Sequence, residues 1–301
     1  MNDISFTATL DQPHVLTSRD WKRRVLTHRK KLSPIIDPYL KKRSEQKKDP
    51  VLDFLFEYYK FRPSHLMRWS PGAGMALEIG DTTDELPEVS ELTVDGQIAY
   101  LNTDLFPEKR LRAANWIHEL LVKTNQSKPF FGCMGMHEWA MVYKAGEVRH
   151  NQVQLRLPDD EIAALVESRP LLCTHFDAFR FFTEEARPLN KNNLTRDTFQ
   201  DNEQPGCIHT NMDIYKWAYK LYPWISSDLI REAFLLAVDA RTIDMKASPY
   251  DLRDQGLKPI RIETEAGRKE YVAHQTDIWE RGLPVRQSLI EAYETLFSLL
   301  D

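Results

Sequence analysis

The sequence predicts a mainly helical protein: one helical domain over residues 1–301 carrying two small β-hairpin insertions. Three observations lead there. Apolar residues recur at helical spacing over 108–125, 130–145, 159–168, 174–183, 207–221, 227–246, 271–281 and 284–300. Two stretches alternate instead and carry turn residues. Strands never alternate regularly with helices, which excludes a doubly wound sheet.

Taken in order, Ser18 is a suitable N-cap for a helix over 19–31, with Pro34 and Pro38 interrupting the segment beyond it. VLDFLFEYYKF (51–61) is apolar almost throughout and ends before Pro63, as a buried helix would. WSPGAGMALEIGDTTDELPEVSELTVDGQIAYLN (69–102) has glycines, prolines and an Asp95-Gly96 hairpin signal, giving a β-flap. PIRIETEAGRKEYV (259–272) gives a second hairpin turning at Glu265-Ala266-Gly267. Ser248-Pro249 marks a helix start, with serine as cap and proline in the first turn.

Composition narrows the class. Hydrophobic residues make up 42% and charged residues 28%, a globular balance rather than a disordered one. No apolar run approaches the roughly 18 residues of a membrane span. The first residues lack the basic start and apolar core of a signal peptide, so a cytoplasmic, membrane-free protein is expected. The oligomeric state is not legible. Cys133, Cys173 and Cys207 form no CxxC pair; they suit a reducing compartment and argue against a usual structural zinc site. Net charge is −5, so only weak binding to duplex DNA is expected. The basic run at 21–48 reads as the solvated face of a helix.

Four stretches combine ionisable groups with aromatics in apolar surroundings: HEWAMVYKAGEVRH (137–150), THFDAFRFFTEEARPLN (174–190), GCIHTNMDIYKWAYKL (206–221) and DARTIDMKASPYD (239–251). Thr174 and Asp177 fit a capping box, and Asp177 can pair Arg180 three residues on. Neither role accounts for His175, nor for an arginine among four phenylalanines. His209 and Asp213 stand four apart, on one face of a helix whose other faces are largely apolar. Their ordinary roles are a satisfied core histidine and a partner for Lys216 or Lys220. His137-Glu138 lacks the second histidine of an HExxH zinc motif; His150 closes that stretch. Asp239, Arg241 and Asp244 suit a buried ion-pair network. So many ionisable groups on apolar helices are costly to bury, which favours a polar pocket where the helices converge.

DPVLDFLFEYYKFRPSHLMRWSPG, THFDAFRFFTEEARPLN, EQPGCIHTNMDIYKWAYKL and DMKASPYDL together resemble a family of proteins of about this length commonly labelled 3-methyladenine DNA glycosylase. The resemblance spans nearly the whole chain. It implies hydrolysis of the N-glycosidic bond of a modified purine base, nucleoside or nucleotide, as in DNA repair. It transfers no catalytic residue. The glycine hairpin and following helix of helix-hairpin-helix glycosylases are only approximated: Pro71-Gly72-Ala73-Gly74 runs on into MALEIGDTTDE.

Three functional expectations result. In the first, a cofactor-free hydrolase uses His209, Asp213, His175 and Asp177 catalytically; Arg180, Arg187, Arg241, Trp217, Phe179 and Trp139 bind the nucleobase-containing or other small-molecule substrate. In the second, His175, His209, Glu138 and Asp213 bind a divalent metal, iron, manganese or zinc, on a helical bundle. In the third, Arg180, Arg187 and Arg241 bind a small anion without catalysis.

Overall fold

The computed structural model describes residues 14–80, 86–146 and 153–301. His150 and the flap residues 81–85 lie outside the described residues. The protein is mainly helical with a small β part, as expected. Two compact units are formed, Met1–Glu119 with Tyr215–Phe234 and Val285–Asp301, and Leu120–Ile214 with Leu235–Pro284.

In the first unit, strand β1 (His14–Leu16) precedes helix α1 (Ser18–Ser44). Thr17, not Ser18, caps α1: its hydroxyl accepts the Asp20 amide at 3.2 Å. The helix also runs through Pro34 and Pro38, correcting the expected interruption. Both prolines are exposed and four apart, so the carbonyls they leave unpaired face water, while Leu32, Ile36 and Tyr39 stay buried on the other side. The 51–61 segment forms one π-helical turn, Phe54–Tyr58, rather than a full helix. Leu55 and Phe56 are its buried anchors, and Lys60 at φ 59° ends it.

Helix α2 (Pro63–Leu66) leads to the sheet, whose strands are β2 (Met75–Glu78), β3 (Leu92–Asp95) and β4 (Ile98–Leu101). The order is β1-β2-β4-β3, with β1 parallel to β2 and the other pairs antiparallel. The three strands of the flap thus join β1 in a sheet of four. Its hairpin turns on Gly96-Gln97, because Asp95 pairs Ile98. Gly72 enters the sheet at φ +86°, where a Cβ would lie 2.7 Å from the Ser226 amide. Leu16, Trp21, Trp69, Leu77 and Ala99 pack beneath it.

The second unit carries helices α4 (Met136–Ala140), α5 (Asp159–Glu167), α6 (Phe176–Phe179) and α7 (Phe199–Asn202). Helices α3 (Leu111–Gln126), α8 (Ile208–Lys220), α9 (Ser227–Ala247) and α10 (Glu265–Leu300) have residues in both units. The expected helices 130–145 and 174–183 shrink to α4 and α6. The segments 271–281 and 284–300 merge into α10, whose Pro284 is exposed like the prolines of α1.

Two further expectations are corrected. Residues 259–272 form no hairpin; α10 begins at Glu265, capped by Thr264, whose hydroxyl accepts the Gly267 amide at 3.0 Å. Gly267 is there for close approach, not for a turn: a Cβ would fall 1.9 Å from the Arg261 carbonyl oxygen. Ser248-Pro249 starts no helix either. The Ser248 hydroxyl donates back to the Met245 carbonyl at 2.7 Å, and Tyr250 bridges Leu155.

Candidate functional site

The second unit gathers ionisable side chains from four places. Helix α4 supplies His137 and Glu138, α9 supplies Arg241 and Asp244, and the start of α8 supplies His209 and Asp213. The turn into α6 supplies His175 and Asp177. All but Asp177 are buried. Gln204 fixes the loop before α4 against the start of α8. Its Oε1 accepts the amides of Phe130 and Gly206, each at 2.8 Å, and its Nε2 donates to the Phe130 carbonyl at 3.1 Å. The Gln204 amide also reaches the Thr174 hydroxyl at 3.3 Å, so Thr174 does not cap α6 as expected; His175 holds the N-cap position without a side-chain cap bond.

Two groups of metal-ligand type stand out, each with its donor atoms within 4.8 Å of one another: His137, Glu138, His209 and Asp244, and His175, Asp177 and Asp213. The residues expected as metal ligands are therefore divided between two groups. The histidines join them. His209 lies edge-on to His137 at 4.5 Å between ring centroids and stacks on His175 at 5.2 Å.

In the first group, Asp244 is the hub. Its Oδ1 meets His137 Nε2 at 2.8 Å, and its Oδ2 lies 3.9 Å from His209 Nε2 and accepts from Arg241 Nη1. The same nitrogen donates to Glu138 Oε1 at 2.9 Å. Burial would raise Asp244, but His137 and then Arg241 outweigh it and hold its pKa below the usual carboxylate value. Burial would likewise lower His137; Asp244 and the Cys133 sulfur raise it well above 6.5. Burial, then the charge of His137, push His209 well below that value, so His209 is neutral. Burial raises Glu138 against the pull of Arg241.

In the second group, His175 Nδ1 lies 2.6 Å from Glu203 Oε1. The other carboxylate oxygen of Glu203 accepts from the Thr210 hydroxyl. Asp177 meets Arg180 at 3.7 Å from a half-exposed position. Sequence reasoning does not single out Glu203, because DNEQPG reads as a polar turn.

The remaining expected residues are placed elsewhere or otherwise engaged. Arg180 lies over the Phe181 ring at 4.8 Å, and Arg187 is exposed, donating to the Arg180 carbonyl. Phe179 packs on Phe182. Trp139, expected to stack a base, is fully buried, with its indole N–H on the Ala247 carbonyl at 2.9 Å and Arg156 over its ring. Trp217 belongs to the first unit, against Trp116. Asp239 pairs an arginine from elsewhere, Arg281, at an exposed position and stands outside the buried network expected of it.

Sequence reasoning also misses Cys133 as a site residue; its Sγ lies 3.3 Å from His137 Nδ1. The signal for it is the C-x-x-x-H spacing in FFGCMGMHEW.

Comparison with protein-family models, with characterised proteins and with solved structures gives no match for this chain. What the site does is read from its own atoms. Among the described residues, no helix is long and apolar enough to cross a membrane.

Proposed function

We propose that the protein is a metal-dependent enzyme in which His175, Asp177 and Asp213 hold a divalent manganese, iron or zinc ion. The observation that carries this reading is the 2.6 Å bond between His175 Nδ1 and Glu203, with Thr210 behind it. A carboxylate on one imidazole nitrogen fixes the ring and raises the basicity of the other, the usual arrangement behind a metal-ligating histidine. Nε2 would then be the atom His175 offers to the ion. Two carboxylates beside one imidazole favour a borderline or hard cation over a soft one. The His137 group does not fit a cation equally well, because Arg241 Nη1 already bridges Glu138 and Asp244.

A bound ion at this place would polarise a substrate oxygen or lower the pKa of a water, supporting hydrolysis. Neutral His209, stacked on His175, is placed to take a proton from such a water and pass charge toward Asp244.

A second reading keeps the N-glycosidic hydrolysis that the family resemblance implies. It is favoured by the closeness of Asp177 and Asp213, which would stabilise an oxocarbenium-like state and direct water without a metal. Dialysis of tag-free protein against chelator separates the two. The first reading predicts a fall in melting temperature, restored by returning Mn(II), Fe(II) or Zn(II). Melting indifferent to chelator and metal overturns it and leaves the second.

A further inference from the structure

All three cysteines, from separate parts of the sequence, line one cavity with His137, His209 and Gln275. Its free space is about 10 Å³, room for roughly one water or the reacting atoms of a small group. Cys133 stands in a particular relation to the others. Its Sγ is 3.3 Å from His137 Nδ1, and His137 Nε2 is 2.8 Å from Asp244 Oδ1. Nucleophile, base and orienting carboxylate therefore lie in one hydrogen-bonded line, on both nitrogens of one ring.

The backbone supports that placement. Met134 and Gly135 follow Cys133 at φ 47° and 78°, a left-handed pair that turns the chain sharply into α4 and puts Cys133 one helical turn before His137. A left-handed non-glycine residue is strained and is kept where the surroundings over-determine it. The neighbouring Cys173 thiol, followed by the charge of His137, outweighs burial and holds Cys133 well below an ordinary thiol. Ile208 and His209, in the first turn of the 13-residue α8, also line the cavity.

One polar atom on this wall lacks a partner. Gln275 is 2% exposed and donates Nε2–H to the Gly206 carbonyl at 2.7 Å, while its Oε1 has no hydrogen-bond partner among the described residues. A buried acceptor left unmatched is destabilising, so a ligand bringing an N–H is favoured there.

We propose that Cys133, His137 and Asp244 form a nucleophilic triad that hydrolyses a small primary amide, with Gln275 accepting the amide N–H. The Cys133 thiolate attacks the carbonyl carbon, forming a C–S bond and moving the C=O pair onto oxygen. Collapse breaks the C–N bond, and His137 gives its proton to the departing ammonia. His137 then takes a proton from water as that water attacks the thioester. The carboxylic acid leaves and the thiolate–imidazolium pair is restored. The step uses none of the residues assigned to the metal.

Iodoacetamide, itself a small primary amide, probes the triad directly by peptide mapping of the full chain. Cys133 should be alkylated on the order of tenfold faster than Cys173 or Cys207 at pH 7, with a rate midpoint well below that of a free thiol. Iodoacetate, which lacks the amide N–H, should react more slowly, and Gln275→Leu should erase that preference. p-Nitrophenyl acetate should leave an acetyl group on Cys133 and not in Cys133→Ser. Chelator-treated protein should label identically, so failure of the metal reading leaves this result standing. Equal alkylation of the three cysteines, an ordinary thiol midpoint, or no acetyl adduct on wild-type protein overturns the triad.

Discussion

The two ionisable groups differ in what completes them. The His137 group contains its own cation: Arg241 is bonded to both Glu138 and Asp244, and His137 sits charged between Asp244 and Cys133. Charges of both signs alternate through it, which is how buried ions are tolerated. The His175 group is built outward from one imidazole, with Glu203 and Thr210 fixing the ring and two carboxylates beside it. Similar residue types thus give a charge-closed network in one case and a directed donor set in the other. The stacked His209 ties them together, so a change in one is felt at the other.

The largest expected effect lies in the closed network. Asp244→Asn leaves Arg241 and His137 short of a buried anion and should cost about 3–5 kcal/mol, lowering the melting temperature by several degrees. A variant melting near wild type would show that the network is not closed in this way.

The pH dependence of stability sharpens the contrast. His137 is raised from 6.5 and Cys133 is lowered from 9.0. A raised histidine contributes stability that is full below 6.5 and is lost as pH rises. A lowered thiol contributes stability that is full above 9.0 and is lost as pH falls. Between these values the folded pair is imidazolium and thiolate and the unfolded pair is imidazole and thiol, with equal numbers of bound protons. The pair therefore gives a plateau from about pH 6.5 to 9, falling away on both sides. Cys133→Ser should convert the plateau into a decline with rising pH, read by denaturant titration at several pH values. An unchanged plateau would break the ion-pair assignment.

A smaller change in stability is expected from Asp213→Asn, which keeps the shape of the His175 group. Its metal-free form should melt near wild type while metal-dependent stabilisation is lost. A drop of several degrees without metal would make Asp213 a structural partner instead. The smallest effect concerns nucleic acid. With a net charge of −5, affinity for undamaged duplex DNA should be weak and fall gently with salt. A steep salt slope mapped to residues 21–48 would favour the glycosylase reading.

Much of the site is legible from particular residues. The nearness of His175 and His209 follows from two stretches that each put an imidazole and a carboxylate on otherwise apolar segments; a chain of this size buries such faces together. The Asp244–Arg241 pairing is readable from its three-residue spacing. Glu203 is not, because its role depends on a tertiary contact with His175 from a segment with no periodicity. Cys133 escapes notice because zinc motifs pair cysteines in sequence, whereas its partners here are His137 one turn on and Cys173 from a distant segment. Gly267 misleads because glycine reads as a turn, while its use is the absence of a side chain beside Arg261. Pro34, Pro38 and Pro284 mislead because proline breaks a helix only when the bonds it removes cannot be replaced by water.

The contrast between the two groups is tested most directly by the metal content of tag-free wild-type protein, His175→Gln and His137→Gln, purified side by side. The wild type and His137→Gln should carry a near-stoichiometric divalent transition metal, and His175→Gln should carry almost none. Metal retained in His175→Gln and lost from His137→Gln, or absent from the wild type, would contradict the assignment of the ion to His175, Asp177 and Asp213.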